Sequence, residues 1–326
     1  MVARVERPQP GTFVIDNMVF VPGGAFRMGS DRHYPEEAPA HRVAVDGFWI
    51  DRTPVTNAQF NAFVTATGYV TSAERVPLAA DYPGTPPEML QPASLVFAQP
   101  KDSASLHDWR RWWELRFGAS WKRPHGKDDP RDAQGDHPVV HVAYEDAQAY
   151  AAWAGKDLPT EAEWEFAARG GLEGADFAWG DEFMPQGRFM ANTWQGRFPD
   201  FNSAADGFER TSPVESFPPN GYGLFDMIGN VWEWTSDFYA PRHTSDAHKS
   251  CCVPRNPRND NIENSFDGRV SGSRIARRVL KGGSHLCAPN YCQRYRPAAR
   301  QGHSVDTSAG HIGFRCAVRA IPMVPR

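Results

Sequence analysis

The chain has 326 residues and a formal net charge of −4. That length buries a sizeable core without staples, and the near-neutral balance gives no support for nucleic-acid binding, which shows a basic surplus. No run approaches the roughly 20 apolar residues of a membrane helix, and five cysteines, an odd number, leave at least one thiol outside any intramolecular disulfide.

The opening "MVARVERPQPGTFVIDNMVFVPGG" lacks the apolar stretch of a secretory leader, so a cytoplasmic, reducing location is expected. Abundant Gly and Pro, with 11 Trp and 20 Phe, suggest a turn-rich fold whose irregular core is filled by aromatic rings. "HRVAVDGFWIDRTPVT" alternates around Val43, Val45, Phe48 and Ile50 and reads as a strand. A short helix follows over "TNAQFNAFVTATG", with Thr56 and Gln59 spaced as a capping box and Gly68 as its stop. Residues from about 79 to 135 read as a loop insertion. Its tryptophans, Trp109, Trp112, Trp113 and Trp121, are expected to form a buried aromatic layer. His137 and His141 would share one face of a strand. Without a third ligand nearby they are read as structural, not as an iron site.

A second helix is expected over "YEDAQAYAAWAGK", ending near Gly155, and a third over "LPTEAEWEFAARGG". In the third, Thr160 and Glu163 form a capping box and Gly170-Gly171 the stop. "NTWQGRFPDFNSAADGF" and "DMIGNVWEW" offer scattered oxygen ligands of the kind Ca²⁺ accepts, though such residues are also ordinary turn residues. Residues from about 240 to 278 read as a polar surface insertion. No solenoid repeat or linker is visible, so one mixed α and β domain is expected.

"KGGSHLCAPNYCQRYRPAAR" carries Cys287 and Cys292. The residues alone leave four readings open: packing thiols, a disulfide, a redox pair, or a soft-metal pair such as two thiolates offer Cu(I). Arg294, Arg296 and Arg300 could meet a substrate or pair with internal carboxylates.

The order "VPGGAFRMGS", "LPTEAEWEFAARGG", "NGYGLFDMIGNVWEW", "RVLKGGSHLCAPNYCQRYRPAAR", "GFRCAVR" resembles the formylglycine-generating enzyme family, the sulfatase-modifying factors, from about Phe20 to Arg319. The resemblance implies an α+β fold: a single formylglycine-generating-enzyme-type domain of the C-type-lectin-like superfamily, low in regular secondary structure, over 17–322 after an extension at 1–16. It implies oxidation of a cysteine in a sulfatase Cys-x-Pro-x-Arg motif to Cα-formylglycine by O₂, a thiol reductant and Cu(I). The substrate would be an unfolded or nascent sulfatase polypeptide and the enzyme a monomer, with no nucleic-acid or membrane partner.

By the same resemblance, Cys287 and Cys292 match the copper-binding active-site pair. Ser284, Trp232 and Tyr291 match residues around the oxygen pocket. One structural Ca²⁺ would be held by Asn192, Thr193, Asp206 and Phe208, and a second by Asp226, Gly229, Val231 and Glu233. The chain departs from many relatives at Ala288, where they carry His, and at His311, where they carry Asn. Both changes bear on substrate contacts. Cys316 matches a disulfide-bonded cysteine whose partner position is Ala168 here, so it is expected to be free. Cys251 and Cys252 lie in the variable insertion and are read as surface or packing thiols. Two other readings on the same scaffold are a non-catalytic peptide-binding module, which has no use for a bis-thiolate pair, and an iron-dependent sulfoxide synthase, which would need an attached helical domain.

Overall fold

A computed structural model describes residues 16–80, 84–100, 108–127, 129, 133–243, 253–268 and 274–319. The 1–15 stretch, Cys251, Cys252 and the Trp109 side chain lie outside the described residues.

Strand β1 (Met18–Val21) pairs antiparallel with β4 (Phe48–Asp51), and β2 (Gly24–Met28) with β3 (His41–Val45). The long strand expected over residues 41–56 is therefore two. It breaks at Asp46-Gly47, and its halves join different sheets. A side chain at Gly47 would stand 2.8 Å from the Phe20 ring, so the corner where the sheets meet has no room for one.

Helix α1 (Asn57–Thr67) starts as expected: Thr56 Oγ1 accepts from the Gln59 N–H and Gln59 Oε1 accepts from the Thr56 N–H. Gly68 ends it at φ +67°. Helix α2 (Tyr144–Trp153) stops just before Gly155. Helix α3 (Glu161–Arg169) is capped by Thr160 and Glu163 and ended by Gly170.

The insertion at 79–135 is not all loop. It contains an antiparallel pair, β5 (Ala93–Phe97) and β6 (Trp113–Phe117). Trp112 and Trp121 are buried, and Trp113 is half-buried. The segment holding His137 and His141 is not a strand. His141 has φ +58° and bonds Ser94 Oγ and the Pro124 carbonyl, whereas His137 reaches Thr211. The two rings therefore have separate structural partners.

Strand β7 (Trp232–Phe238) is central in a second sheet. It lies between β8 (Arg277–Lys281), which pairs on with β9 (Arg300–Ser304), and a parallel partner, β10 (Ile312–Gly313). Strand β11 (Ala317–Arg319) returns to β4. One apolar cluster gathers Phe60, Phe63, Tyr150, Trp234 and Phe314 with Cys287 at its edge. A smaller aromatic cluster, with Phe97, Trp112, Trp194 and Phe198, lies beneath the segment that follows β8. Among the described residues no helix is long and apolar enough to cross a membrane.

Candidate active site

Strand β8 runs straight into Gly282-Gly283, both at positive φ (+91° and +72°). A Cβ at Gly282 would lie 2.8 Å from the Met227 carbonyl and from the Trp164 ring, and one at Gly283 would lie 2.6 Å from the Arg294 carbonyl. Only glycine meets both demands, and the turn drops the chain from the sheet into a tight loop. There the Cys287 N–H donates to the Ser284 carbonyl (2.9 Å) and the Cys292 N–H to the Ala288 carbonyl (2.9 Å). The Trp194 N–H pins the loop from outside by donating to the Cys287 carbonyl (3.0 Å).

This winding brings the two sulfurs to 3.5 Å. A disulfide bond is about 2.05 Å, so both are free thiols, as is the buried Cys316. Burial pushes the Cys287 thiol well above its ordinary range. Cys292 moves the other way, to about 6. The hydrogen bond donated by Cys287 is the largest cause; burial opposes it, and the Arg294 guanidinium adds to the lowering. Arg294 Nη1 is 3.8 Å from Cys292 Sγ. The guanidinium is held there by Glu36 and by the Tyr34 ring, whose centroid is 3.9 Å away. The surroundings thus favour the thiol at Cys287 and the thiolate at Cys292.

All five sequence-predicted catalytic residues, Cys287, Cys292, Ser284, Trp232 and Tyr291, line one cavity of about 820 Å³. Ser284 is fully buried, and its Oγ accepts from the Leu286 N–H. Trp232 is placed by β7, where its N–H donates to the His311 carbonyl. Tyr291 stacks on Phe198 at 4.7 Å and meets the Trp112 ring edge-on. His311 lies against Trp113 with a buried Nδ1 that has no partner. Ala288 is buried in the aromatic cluster below. The arginines divide as internal partners: Arg294 with Glu36, Arg296 with Glu37 and Arg300 with Glu161. Sequence reasoning missed Tyr34 and Glu36, which come from a distant segment with no local motif.

Among the described residues no three His, Cys, Asp or Glu side chains cluster as a metal site. The first oxygen set still fits a hard cation. Asn192 Oδ1 is buried without a partner, and burial raises the Asp206 carboxyl. Asp206 accepts the N–H groups of Thr193 and Phe208, which holds those residues around it. The second set fits less well. Burial pushes Asp226 up to about 6, and the loop crosses close to Asn192 at Gly229, but the Glu233 carboxylate already accepts from Arg315 and Trp164. Glu233 Oε1 accepts a single bond, from Arg315, and keeps a lone pair for a cation. Val231, its buried neighbour, can offer only backbone. For copper the fit is direct: two adjacent soft sulfur donors facing an open cavity, with Arg294 beside them favouring the anionic form of Cys292.

A family model described as the sulfatase-modifying factor enzyme 1-like domain matches residues 4–320. The chain belongs to this family. A formylglycine-generating enzyme of Mycobacterium tuberculosis is 53% identical over 93% of this chain and 98% of its own length. One from Streptomyces coelicolor is 47% identical over 92% of this chain and 88% of its own. Among solved structures, PvdO from Pseudomonas aeruginosa superposes with a TM-score of 0.60 at 25% identity, covering 93% of this chain and 94% of that one. The family's α+β fold, with few helices and long connections, is the fold described above.

Proposed function

We propose that this chain oxidises a cysteine of a sulfatase polypeptide, in a Cys-x-Pro-x-Arg context, to Cα-formylglycine, using O₂ and a thiol reductant with Cu(I) held by Cys287 and Cys292. The relatives named above as formylglycine-generating enzymes support the reaction class. The observation that carries the reading in this chain is the pair of free cysteine sulfurs, 3.5 Å apart, in the wall of a cavity large enough for a peptide side chain.

The balance is simple. The substrate's Cβ–H and S–H hydrogens leave as two electrons and two protons, giving a thioaldehyde. O₂ takes these and two more electrons and protons from two reductant thiols, which form a disulfide. Water then replaces sulfur, leaving aldehyde and H₂S. Cu(I), when bound, supplies the one-electron chemistry with O₂ that thiols lack.

The protein's own groups set the stage. Cys292 is the ready anionic donor, and Cys287 ionises only as its proton is displaced. Arg294 balances the charge. Trp232, Trp112 and Phe198 keep the wall apolar, while Ser284 presents a hydroxyl beside the pair. Asn192, Thr193, Asp206 and Phe208 would hold one Ca²⁺ that ties the 192–208 loop, whose Trp194 pins Cys287. Asp226 and Glu233, with the Gly229 and Val231 backbone, would hold the second.

The test is an aldehyde assay. Cu(I)-loaded protein, O₂, a thiol reductant and a Cys-x-Pro-x-Arg peptide are incubated, and peptide mass and aldehyde capture are followed. Conversion is expected with wild type and a loss of at least about 100-fold with Cys287→Ser or Cys292→Ser, as for removal of a group acting directly on the reacting centre. Conversion that survives both substitutions would refute the assignment.

A further inference from the structure

A second concavity, of about 900 Å³, adjoins the first: Leu95 and Thr307 line both. Four of its lining side chains are large, hydrophobic and open to solvent: Val76 (64% exposed), Leu78 (68%), Met89 (43%) and Leu115 (51%). Isolated apolar residues are ordinary on a surface, but four converging on one groove mark a binding surface. Of its charged residues, Arg75 and Glu145 are paired with each other, and Asp306, at the rim shared with the first cavity, accepts from the Thr307 hydroxyl.

The β5–β6 ribbon joins the two spaces. Trp113 pairs with Phe97, Leu115 with Leu95 and Phe117 with Ala93. Alternation puts Trp113 and Leu115 on the same face. Trp113 lines the cysteine cavity, and Leu115 lines the groove. Two residues along a strand span roughly 7 Å, so a chain whose cysteine reaches the thiol pair lays its neighbouring residues over the groove within a few positions.

We propose that this groove is a docking subsite for apolar side chains of the substrate polypeptide, flanking the reactive cysteine outside the Cys-x-Pro-x-Arg core. The inference rests on the oxidase reading for its occupant. An unfolded client exposes apolar side chains that a folded one buries, so the groove favours substrates before they fold.

The test uses fluorescent peptides with one common core. One has polar flanks, one carries two leucines on the amino side, and one carries two leucines on the carboxyl side. Binding is read by anisotropy with serine in place of the reactive cysteine, and turnover is read with the cysteine present. One leucine flank is expected to lower both Kd and KM about tenfold, the scale of burying one such side chain, with kcat unchanged. The Leu78→Ser/Leu115→Ser variant should lose that gain and still convert the polar-flank peptide normally. Circular dichroism checks its folding. The proposal is overturned if neither flank tightens binding or if the gain survives in the variant. It is equally overturned if wild type is a dimer that the variant converts to monomer, since a second copy would then fill the groove. Conversion of the polar-flank peptide reports on the oxidase reading separately.

Discussion

A thiolate against an apolar wall is costly unless a donor or a positive charge faces it. Cys292 has both: the Cys287 thiol and the Arg294 guanidinium. Arg294 is itself fixed by Glu36 and Tyr34, so the charge does not swing away. A cysteine lowered to about 6 is mostly anion at neutral pH. The alkylation rate of Cys292 in the metal-free protein, followed by peptide mapping, should therefore rise through a midpoint near pH 6. Arg294→Met should move that midpoint upward, as should Cys287→Ala, which removes the donor. A midpoint above pH 8 in wild type would contradict the thiol–thiolate assignment. The i, i+5 spacing of the cysteines was visible in the chain, and so was Ser284. That Glu36 fixes the neighbouring Arg294 was not, because Glu36 lies more than 250 residues away in sequence and only the packed fold brings it there.

At the scale of elements, legibility followed local chemistry. Both capping boxes, Thr56 with Gln59 and Thr160 with Glu163, form as their spacing requires, and the following glycines stop the helices. These signals work because donor, acceptor and stop lie within one helix. Strands depend on partners. The alternation over residues 41–56 looked continuous, yet β3 and β4 pair in different sheets, and nothing local marks the corner except Gly47. The β5–β6 ribbon escaped notice because its halves are separated by 15 residues and each is short. It is nevertheless the element that carries Trp113 to the cavity. The Gly282-Gly283 turn was readable as a turn. Its function, seating the cysteine loop against the Arg294 backbone and the Trp164 ring, appears only in three dimensions.

For the whole molecule, buried ionisable groups set the response to pH. Burial lowers His141 and His243 to about 3 and His285 and His303 to about 4. An unfolded histidine titrates near 6.5. The unfolded chain therefore binds more protons below that pH, and the stability these histidines give above about pH 6.5 is lost as pH falls toward 4. Asp146, Asp226 and Asp237 oppose this. Burial raises each to about 6, so their contribution, full below about pH 4, declines as pH rises through 6. The histidines are more numerous and move further, so their sign prevails. At constant ionic strength Tm should be highest above about pH 6.5 and fall steadily toward pH 4. A Tm at pH 5 equal to or above that at pH 7.5 would show that the histidines are not buried as described.

The thiol pair as a copper centre is the claim on which the functional account turns. It is tested most directly by titrating the reduced protein with Cu(I) against a chromophoric chelator, in wild type and in the Cys287→Ser and Cys292→Ser variants. One tightly held Cu(I) per chain is expected in wild type, with loss of that site in either variant. Equal binding in all three proteins, or none in wild type, would contradict it.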